Sequence, residues 1–283
     1  MASSFPTKMQ SNIAETAAKA GGAVIREALN RQGFGRPNRV NFKGATDMVT
    51  EVDLAAEEAV CGTLRQYTPN VPILAEESSA AQMGKDLPSR WIVDPLDGTT
   101  NFVHGFPSFA VSVALEVDGE LTQGCIYDPI HDRAFSAIRG RGATCNGDPI
   151  HVSQTQTLNH SLLLTGFAYD RRERADFYLT FVKKFLETGQ GLRRMGAAAM
   201  DFTSIAVGQA DGYWEFGLNA WDVAAGILLV TEAGGVVTSM DGQALDIDQP
   251  QILATNGLIH QEMSSILISL LTTHPETKKE STL

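Results

Sequence analysis

The sequence predicts a fold that mixes helices and strands, with an α+β arrangement in its first part and an α/β arrangement in its second. Two patterns carry this prediction. Residues 1–150 read as two amphipathic helices followed by short strands with tight turns, whereas strands and helices alternate in residues 151–283. The size agrees, because 283 residues with 43% hydrophobic content can form one large domain or two modest ones.

The first part begins with two predicted helices. The first has apolar residues at helical spacing and is expected to end at Gly33 and Gly35. The second, EVDLAAEEAVCGTLRQY, has one apolar face, and the side chain of Thr50 can cap its first turn. The apolar positions are Ile13, Ala17, Ala20, Val24 and Ala28 in the first helix, and Val52, Ala56, Val60, Leu64 and Tyr67 in the second.

Short apolar runs after the second helix predict strands. VPILA (71–75) and WIVD (91–94) stop at acidic residues, as strands do when their ends emerge at a site. SFAVSVALEV and LTQGCIY flank Asp118-Gly119, a pair that predicts a hairpin turn. RAFSAI and the Asn146-Gly147 turn add further strand character. The first part is therefore expected to hold a largely antiparallel sheet beside its two helices.

In the second part, predicted strands and helices alternate. SLLLTGF, GLRRM, GYWEF and VVTSM read as strands, and the segments between them, ERADFYLTFVKKFLE, AAAMDFTSIAVG and WDVAAGILLVTEAGG, read as helices. Such alternation predicts parallel strand pairs. The final residues TTHPETKKESTL are polar and are expected to be loose.

Composition excludes several classes of function. The formal net charge of −11 disfavours nonspecific binding to nucleic acid, because phosphate backbones repel acidic surfaces. Cys61, Cys125 and Cys145 form an odd set without a C-x-x-C pair, which favours reduced thiols. The N-terminal residues lack a signal-type apolar region, and the longest apolar run, Val223 to Val230, is too short to cross a bilayer. A cytoplasmic protein is expected.

Acidic residues stand where predicted strands or loops end. Asp47 lies in GATDMVT, Glu76 and Glu77 in LAEESS, Asp94 and Asp97 in DPLDG, and Asp222 in NAWDVAAG. Carboxylates that converge repel one another, so such a cluster normally contains a cation. Oxygen ligands select hard ions, Mg²⁺ or Mn²⁺ before Zn²⁺, and the six histidines are scattered without zinc-type spacing. A divalent metal site is predicted.

The segment DPLDGTT also offers a place for phosphate. Asp94 and Asp97 can bridge two ions, and Gly98-Thr99-Thr100 opens a helix whose free N–H groups favour a phosphate oxygen. Thr99 can relay a proton from a water molecule, with Asp47 behind it as orienter and base. Two structural alternatives stay open: DPLDG as a tight turn after a buried strand, and Thr99 as a helix cap.

Two longer motifs carry a family resemblance. WIVDPLDGTTNFVHGFP and WDVAAGILLVTEAGG resemble the two signatures of the inositol monophosphatase family of Mg²⁺-dependent, Li⁺-sensitive phosphatases. The likeness extends through GATDMVTEVD and LAEES and covers about residues 10 to 270. It implies a layered αβαβα sandwich of the sugar-phosphatase type, often dimeric. It also implies two or three Mg²⁺ ions, with Mn²⁺ as a substitute.

The resemblance further implies roles for individual residues. The metals would be held by Glu76, Asp94, Asp97, Asp222 and the carbonyl group of Leu96, so that one ligand comes from the second part of the chain. Asp47, Thr99 and Glu76 would act in catalysis, with Glu77 behind the metal ligands. The amides of Gly98 and Thr99 would bind phosphate.

On the substrate side the likeness is less uniform. Glu215 occupies the position that holds a sugar hydroxyl, and Gly196-Ala197-Ala198 matches a G-[ST]-A stretch of the same pocket. Ala197 departs from that pattern and removes a possible hydrogen bond to a polyol. For Glu215, a solvated strand end is the alternative. No basic residue lies between Tyr213 and Trp221, which counts against a nucleotide substrate.

The expected reaction is hydrolysis of a small-molecule phosphate monoester, most directly myo-inositol monophosphate, by a cytoplasmic homodimer without a nucleic-acid or membrane partner. Fructose 1,6-bisphosphate, histidinol phosphate and 3′-phosphoadenosine 5′-phosphate stay open as substrates, as does a non-catalytic metal-binding interaction protein. A haloacid dehalogenase-type phosphatase is disfavoured, because its D-x-D-G-T motif needs Asp where this chain has Pro95.

Overall fold

The structure, a computed structural model, describes residues 12–32, 40–42, 48–78, 87–248 and 250–273. The first part contains α1 (Ile13–Gln32), β1 (Val40–Phe42), β2 (Met48–Thr50), α2 (Glu51–Tyr67), β3 (Ile73–Ala75), β4 (Ser89–Asp97), α3 (Thr99–His104), β5 (Ala110–Val117), β6 (Glu120–Asp128), β7 (Arg133–Ile138), β8 (Ala143–Cys145) and β9 (Asp148–Ile150). The second part contains β10 (Leu162–Thr165), α4 (Ala175–Thr188), β11 (Gly191–Arg193), α5 (Ala198–Ala206), β12 (Gly212–Glu215), α6 (Ala220–Glu232), β13 (Val236–Ser239), β14 (Ile252–Thr255) and α7 (His260–Thr273).

The two predicted N-terminal helices are confirmed. Thr50 caps α2 as expected, since its hydroxyl accepts a hydrogen bond from the amide of Val52. The glycines expected to end α1, Gly33 and Gly35, lie outside the described residues. No helix in the described ranges is long and apolar enough to cross a membrane.

Strands β3 to β9 form a sheet in sequence order, in which β3 and β4 are parallel and every later neighbour pair is antiparallel. The hairpin predicted at Asp118-Gly119 joins β5 to β6. Both turn residues have positive φ, 52° and 78°, which matches the right-handed twist of the strands. Asn146 and Gly147, with φ of 51° and 91°, make the equivalent turn between β8 and β9.

A second sheet has the order β11-β10-β12-β14-β13. The predicted parallel pairs are present, because β10 lies parallel to both β11 and β12. Strand β14 runs antiparallel to β12 and β13. Sequence patterns had assigned neither β14 nor α7, the helix that packs against it.

The helices and sheets stack in five layers, which confirms the αβαβα sandwich. Helices α1 and α2 cover one face of the first sheet, α5 and α6 lie between the two sheets, and α4 and α7 cover the far face of the second sheet. Close approach requires a glycine in α6: a Cβ on Gly226 would stand 2.2 Å from the ring of Phe202 in α5. The central helices therefore bring residues of the second part against the first sheet.

Candidate active site

Strand β4 delivers two carboxylates to one place. In a regular strand, residues three apart point to opposite faces. In β4, however, Asp94 lies opposite Ser112 and Asp97 opposite Ala110, so β4 has one residue more than β5 between these pairs. This bulge turns both side chains toward the same cleft. The alternative of a tight turn at DPLDG is therefore wrong, because the strand continues through it to Asp97.

A third carboxylate comes from α6. Asp222 is the third residue of that helix, and its Oδ2 accepts a hydrogen bond of 2.7 Å from the amide of Asn219 at the helix N-terminus. Because α6 lies between the sheets, its first turn meets the end of β4. One ligand atom each from Asp94, Asp97 and Asp222 lie within 4.8 Å of one another.

Burial and mutual repulsion raise the pKa values of these carboxylates. Asp94 and Asp97 are only 2% and 8% exposed. Burial raises the pKa of Asp94 well above its usual range, and the charges of Glu76, Asp97 and Asp222 raise it further. For Asp97 burial raises the pKa, while a hydrogen bond of 2.7 Å from the amide of Ala199 opposes the shift. The arrangement is costly unless protons or a cation neutralise it.

The residues present fit a hard divalent cation. Glu76 follows β3 and lines the same cleft as Asp94, and its charge raises the pKa of the Asp94 carboxyl group. The carbonyl oxygen of Leu96 faces the same region, because it lies 3.1 Å from the hydroxyl of Thr99. These donors are all oxygen atoms, which suits Mg²⁺ or Mn²⁺.

The hydroxyl of Thr99 contacts an acid that sequence patterns did not single out. It lies 3.0 Å from Oδ1 of Asp53 in α2, while Asp47 lies outside the described residues. Thr99 is the first residue of α3, and Gly98 occupies the capping position, so the helix-cap alternative is wrong. Burial raises the pKa of Asp53, and hydrogen bonds from Thr50 and Thr99 oppose the shift.

A local signal for Asp53 was present in the sequence. The pattern Thr50-x-x-Asp53 is a capping box, and Oδ2 of Asp53 accepts hydrogen bonds from both the amide and the hydroxyl of Thr50. Oδ1 is thereby left for Thr99. Because helix capping alone accounts for an acid at position 53, the pattern does not indicate the additional contact between Asp53 and Thr99.

Gly98 brings the turn after β4 against the start of α5. Its φ is 90°, and a Cβ there would stand 2.9 Å from the carbonyl oxygen of Ser108 and 3.0 Å from Cβ of Ala197. The residues predicted to bind phosphate thus adjoin those predicted to line the substrate pocket.

Glu215 ends β12 and is 9% exposed, so the alternative of a solvated strand end is wrong. The hydroxyl of Tyr213, on the same face of the strand, donates a hydrogen bond of 2.6 Å to Oε2 of Glu215. Burial raises the pKa of Glu215 to about 7, and Tyr213 and the nearby Arg194 oppose the shift.

One cleft of about 290 Å³ collects nearly all predicted residues that the structure describes. These residues are Glu76, Asp94, Leu96, Asp97, Gly98, Thr99, Gly196, Ala197, Ala198, Glu215 and Asp222. Glu77 does not line the cleft; its amide donates a hydrogen bond of 2.8 Å to the buried carboxylate of Glu57. Sequence patterns missed other lining residues, namely Phe167, Tyr169, Arg171 and Arg194.

The layered fold and its carboxylate cluster define a metal-dependent phosphatase that acts on phosphate monoesters. The chain belongs to the inositol monophosphatase family: the family profile of that description matches residues 8–276. The resemblance seen in the two sequence motifs is thereby confirmed, and with it the assignment as a phosphoric monoester hydrolase.

Relatives of this family are similar over almost the whole chain. An inositol-1-monophosphatase of Synechocystis sp. is 44% identical, over 93% of this chain and 90% of its own. The solved structure of inositol monophosphatase from Anabaena (Nostoc) sp. is 43% identical with a TM-score of 0.82, covering 94% of this chain and 99% of its own. A structure of an IMPase/NADP phosphatase with Mg²⁺ and phosphate is 25% identical with a TM-score of 0.74, covering 86% and 90%.

Proposed function

We propose that this protein hydrolyses a phosphate monoester with Mg²⁺, most directly myo-inositol monophosphate to inositol and phosphate. The observation that supports this most is the convergence of Asp94, Asp97 and Asp222 within 4.8 Å, in the cleft that also holds Glu215. The name of the Synechocystis relative agrees with the inositol substrate.

In this proposal Glu76, Asp94, Asp97, Asp222 and the carbonyl group of Leu96 hold two or three Mg²⁺ ions, with Mn²⁺ as a substitute. When bound, such ions lower the pKa of an attacking water molecule and neutralise phosphate charge. Inhibition by Li⁺ is expected from the family resemblance.

The chain's own residues then move one proton. Thr99 lies between the cluster and Asp53, and its hydroxyl group can accept a proton from water while it passes its own proton to Oδ1 of Asp53. Asp53 takes the role that sequence patterns had given to Asp47. Because the pKa of Asp53 is raised, this carboxylate is a better proton acceptor than an ordinary aspartate.

The rest of the cleft would bind and orient the ester. The amides of Gly98 and Thr99 would donate to the phosphate group, and Gly196, Ala197 and Ala198 would form the wall beside it. The carboxylate of Glu215, held by Tyr213, would accept hydrogen bonds from hydroxyl groups of the polyol. Cytoplasmic location, a homodimer and the absence of a nucleic-acid partner stay predictions.

Phosphate release from inositol 1-phosphate, fructose 1,6-bisphosphate, histidinol phosphate and 3′-phosphoadenosine 5′-phosphate tests the proposal. We expect turnover only with Mg²⁺ or Mn²⁺, with inositol 1-phosphate giving the highest kcat/KM. Full activity after exhaustive chelation would end the metal-dependent mechanism. A clear preference for another ester would change the proposed substrate and leave the proposed mechanism unchanged.

A further inference from the structure

One buried side chain joins two loops at the base of the cleft. The α3 loop (residues 98–109) follows β4, and the wall turn (residues 194–197) leads from β11 to α5. Asn101, in the α3 loop, is 8% exposed and does not line the cleft. Its Nδ2 atom donates a hydrogen bond of 2.6 Å to the carbonyl oxygen of Ser108 and one of 2.9 Å to that of Met195. The second bond ties the α3 loop to the wall turn.

The chemistry of an amide group suits this position. An asparagine side chain has two N–H donors, and here each donor has its own carbonyl acceptor. Within the part of the chain that the structure describes, no other hydrogen bond joins the α3 loop to the wall turn. A carbonyl group that loses its donor inside a protein costs free energy, so Asn101 favours the one arrangement of the two loops in which both carbonyl groups are satisfied.

Glycines let the two loops approach this closely. Nδ2 of Asn101 lies 3.2 Å from the place where a Cβ of Gly196 would stand, and Gly196 has a φ of 84°. On the other side of the contact, a Cβ on Gly98 would stand 3.0 Å from Cβ of Ala197. The amide group of Asn101 therefore lies directly against the backbone of the wall turn.

The wall turn leads directly into the amides that hold a carboxylate of the cluster. The amide of Ala199, in the first turn of α5, donates a hydrogen bond of 2.7 Å to Oδ2 of Asp97, and the amide of Ala198 donates another. The position of the wall turn thus sets the position of both donors. Groups that hydrogen-bond to a metal ligand orient it, and their loss weakens metal binding or activity about tenfold to a hundredfold.

We propose that Asn101 is a positioning residue of the active site. Its amide group fixes the wall turn against the α3 loop, and through the amides of α5 it holds Asp97 in the orientation that binds Mg²⁺. The inference rests on the proposed function, in which Asp97 is a metal ligand, and adds a residue outside the cleft on which metal affinity depends.

Asn101→Asp tests this, because it keeps the shape of the side chain and replaces the amide donors by a carboxylate oxygen that faces two carbonyl groups. Calorimetric titration with Mg²⁺ alone, without substrate, should give a dissociation constant about tenfold above that of the wild type. At a Mg²⁺ concentration that half-saturates the wild type, kcat should fall for inositol 1-phosphate and p-nitrophenyl phosphate alike. Excess Mg²⁺ should restore most of this loss, and KM for both esters should change little.

Asn256 offers a matched control away from the cleft. It is 3% exposed, and its Nδ2 atom donates hydrogen bonds of 2.9 Å to Oγ of Ser153 and 2.8 Å to the carbonyl oxygen of Thr155. Asn256→Asp removes the same kind of donor and should lower the melting temperature. Its Mg²⁺ dissociation constant and its kcat, measured below that temperature, should equal those of the wild type. Equal losses of Mg²⁺ affinity in the two variants would show general destabilisation and overturn the inference.

Other results separate failure of this inference from failure of the proposed function. Wild-type Mg²⁺ affinity in a folded Asn101→Asp protein overturns the role of Asn101 alone. If that variant does not fold, Asn101→Ala, which removes both donors without adding a charge, is judged by the same criterion. If neither folds, the fold itself requires Asn101 and the inference is overturned. A wild-type protein that binds no Mg²⁺ overturns the proposed function, and the inference with it.

Discussion

The hydroxyl group of Thr99 donates a hydrogen bond of 3.0 Å to Oδ1 of Asp53, a residue 46 positions earlier in the chain. The other oxygen of Asp53 is held by Thr50 at the start of α2. The carboxylate is therefore fixed at two points, one on its own helix and one beside the carboxylate cluster. Such an arrangement suits a group that must accept a proton without changing position.

Asp53→Asn should lower kcat for every ester by a factor of about 10² to 10⁴, because an amide cannot accept the proton from Thr99. KM should change little, and the melting temperature should fall only slightly, since an asparagine can still accept one hydrogen bond from Thr50. Glu51→Gln, which changes an exposed acid in the same helical turn, is the control. If Asp47→Asn abolishes turnover and Asp53→Asn does not, the base is Asp47, as the sequence predicted, and the proposed role of Asp53 is wrong.

The metal-free protein should lose stability as the pH rises. Raised pKa values, about 7 for Asp97 and about 8 for Asp222, mean that the folded state holds protons more tightly than the unfolded chain. Their contribution is complete below about pH 4, the usual range of an unfolded aspartate, and is lost as the pH rises through 7 to 8. Melting temperatures in a chelator from about pH 5 to 8 measure this.

Asp94→Asn removes one carboxylate of the cluster, so its stability shows the contribution of the cluster separately from that of other titrating groups. Without metal, the variant should be more stable than the wild type at about pH 8, because one buried charge is gone. With Mg²⁺ at a hundred times its dissociation constant, the wild type should gain about 2.7 kcal/mol and the variant much less. Equal gains in both proteins would show that Mg²⁺ binds elsewhere.

Glu215→Gln should raise KM for inositol 1-phosphate about tenfold to a hundredfold, since a hydrogen bond to a charged group is lost. The effect on p-nitrophenyl phosphate should be small, because that ester presents no hydroxyl groups. Initial rates on both esters give the comparison. If the variant handles inositol 1-phosphate as well as wild type, the substrate is a different phosphate ester.

Gly166→Ala should raise KM in the same way as Glu215→Gln, although it removes no charge. A Cβ on Gly166 would stand 2.0 Å from the carboxylate of Glu215, so the acid must move away from its bond with Tyr213. We expect a higher KM for inositol 1-phosphate and a loss of about 1–3 kcal/mol in stability. Gly62→Ala, at a helical position with nothing within 4 Å of the added Cβ, is the control and should leave kinetics unchanged. Unchanged KM in the Gly166 variant would mean that Glu215 does not depend on this position.

Local patterns were sufficient for most elements that the structure describes. Helices α1 and α2 and the turns at Asp118 and Asn146 depend on residues close in sequence, and all four were predicted. The continuation of β4 through DPLDG was not predicted, because Pro and Gly favour a turn in local patterns, whereas pairing of Asp97 with Ala110 of β5 extends the strand.

By itself the sequence determined the kind of chemistry. The acidic residues at strand ends predicted a site for a hard cation, and two motifs identified the family. It did not determine which groups meet. Asp47 and Asp53 both lie in the segment GATDMVTEVD, and only the packing of α2 against β4 decides that Asp53 reaches Thr99. The same holds for Asp222, which joins Asp94 because α6 is enclosed between two sheets. Contacts between residues distant in sequence depend on how whole elements pack, and local sequence patterns do not determine that packing.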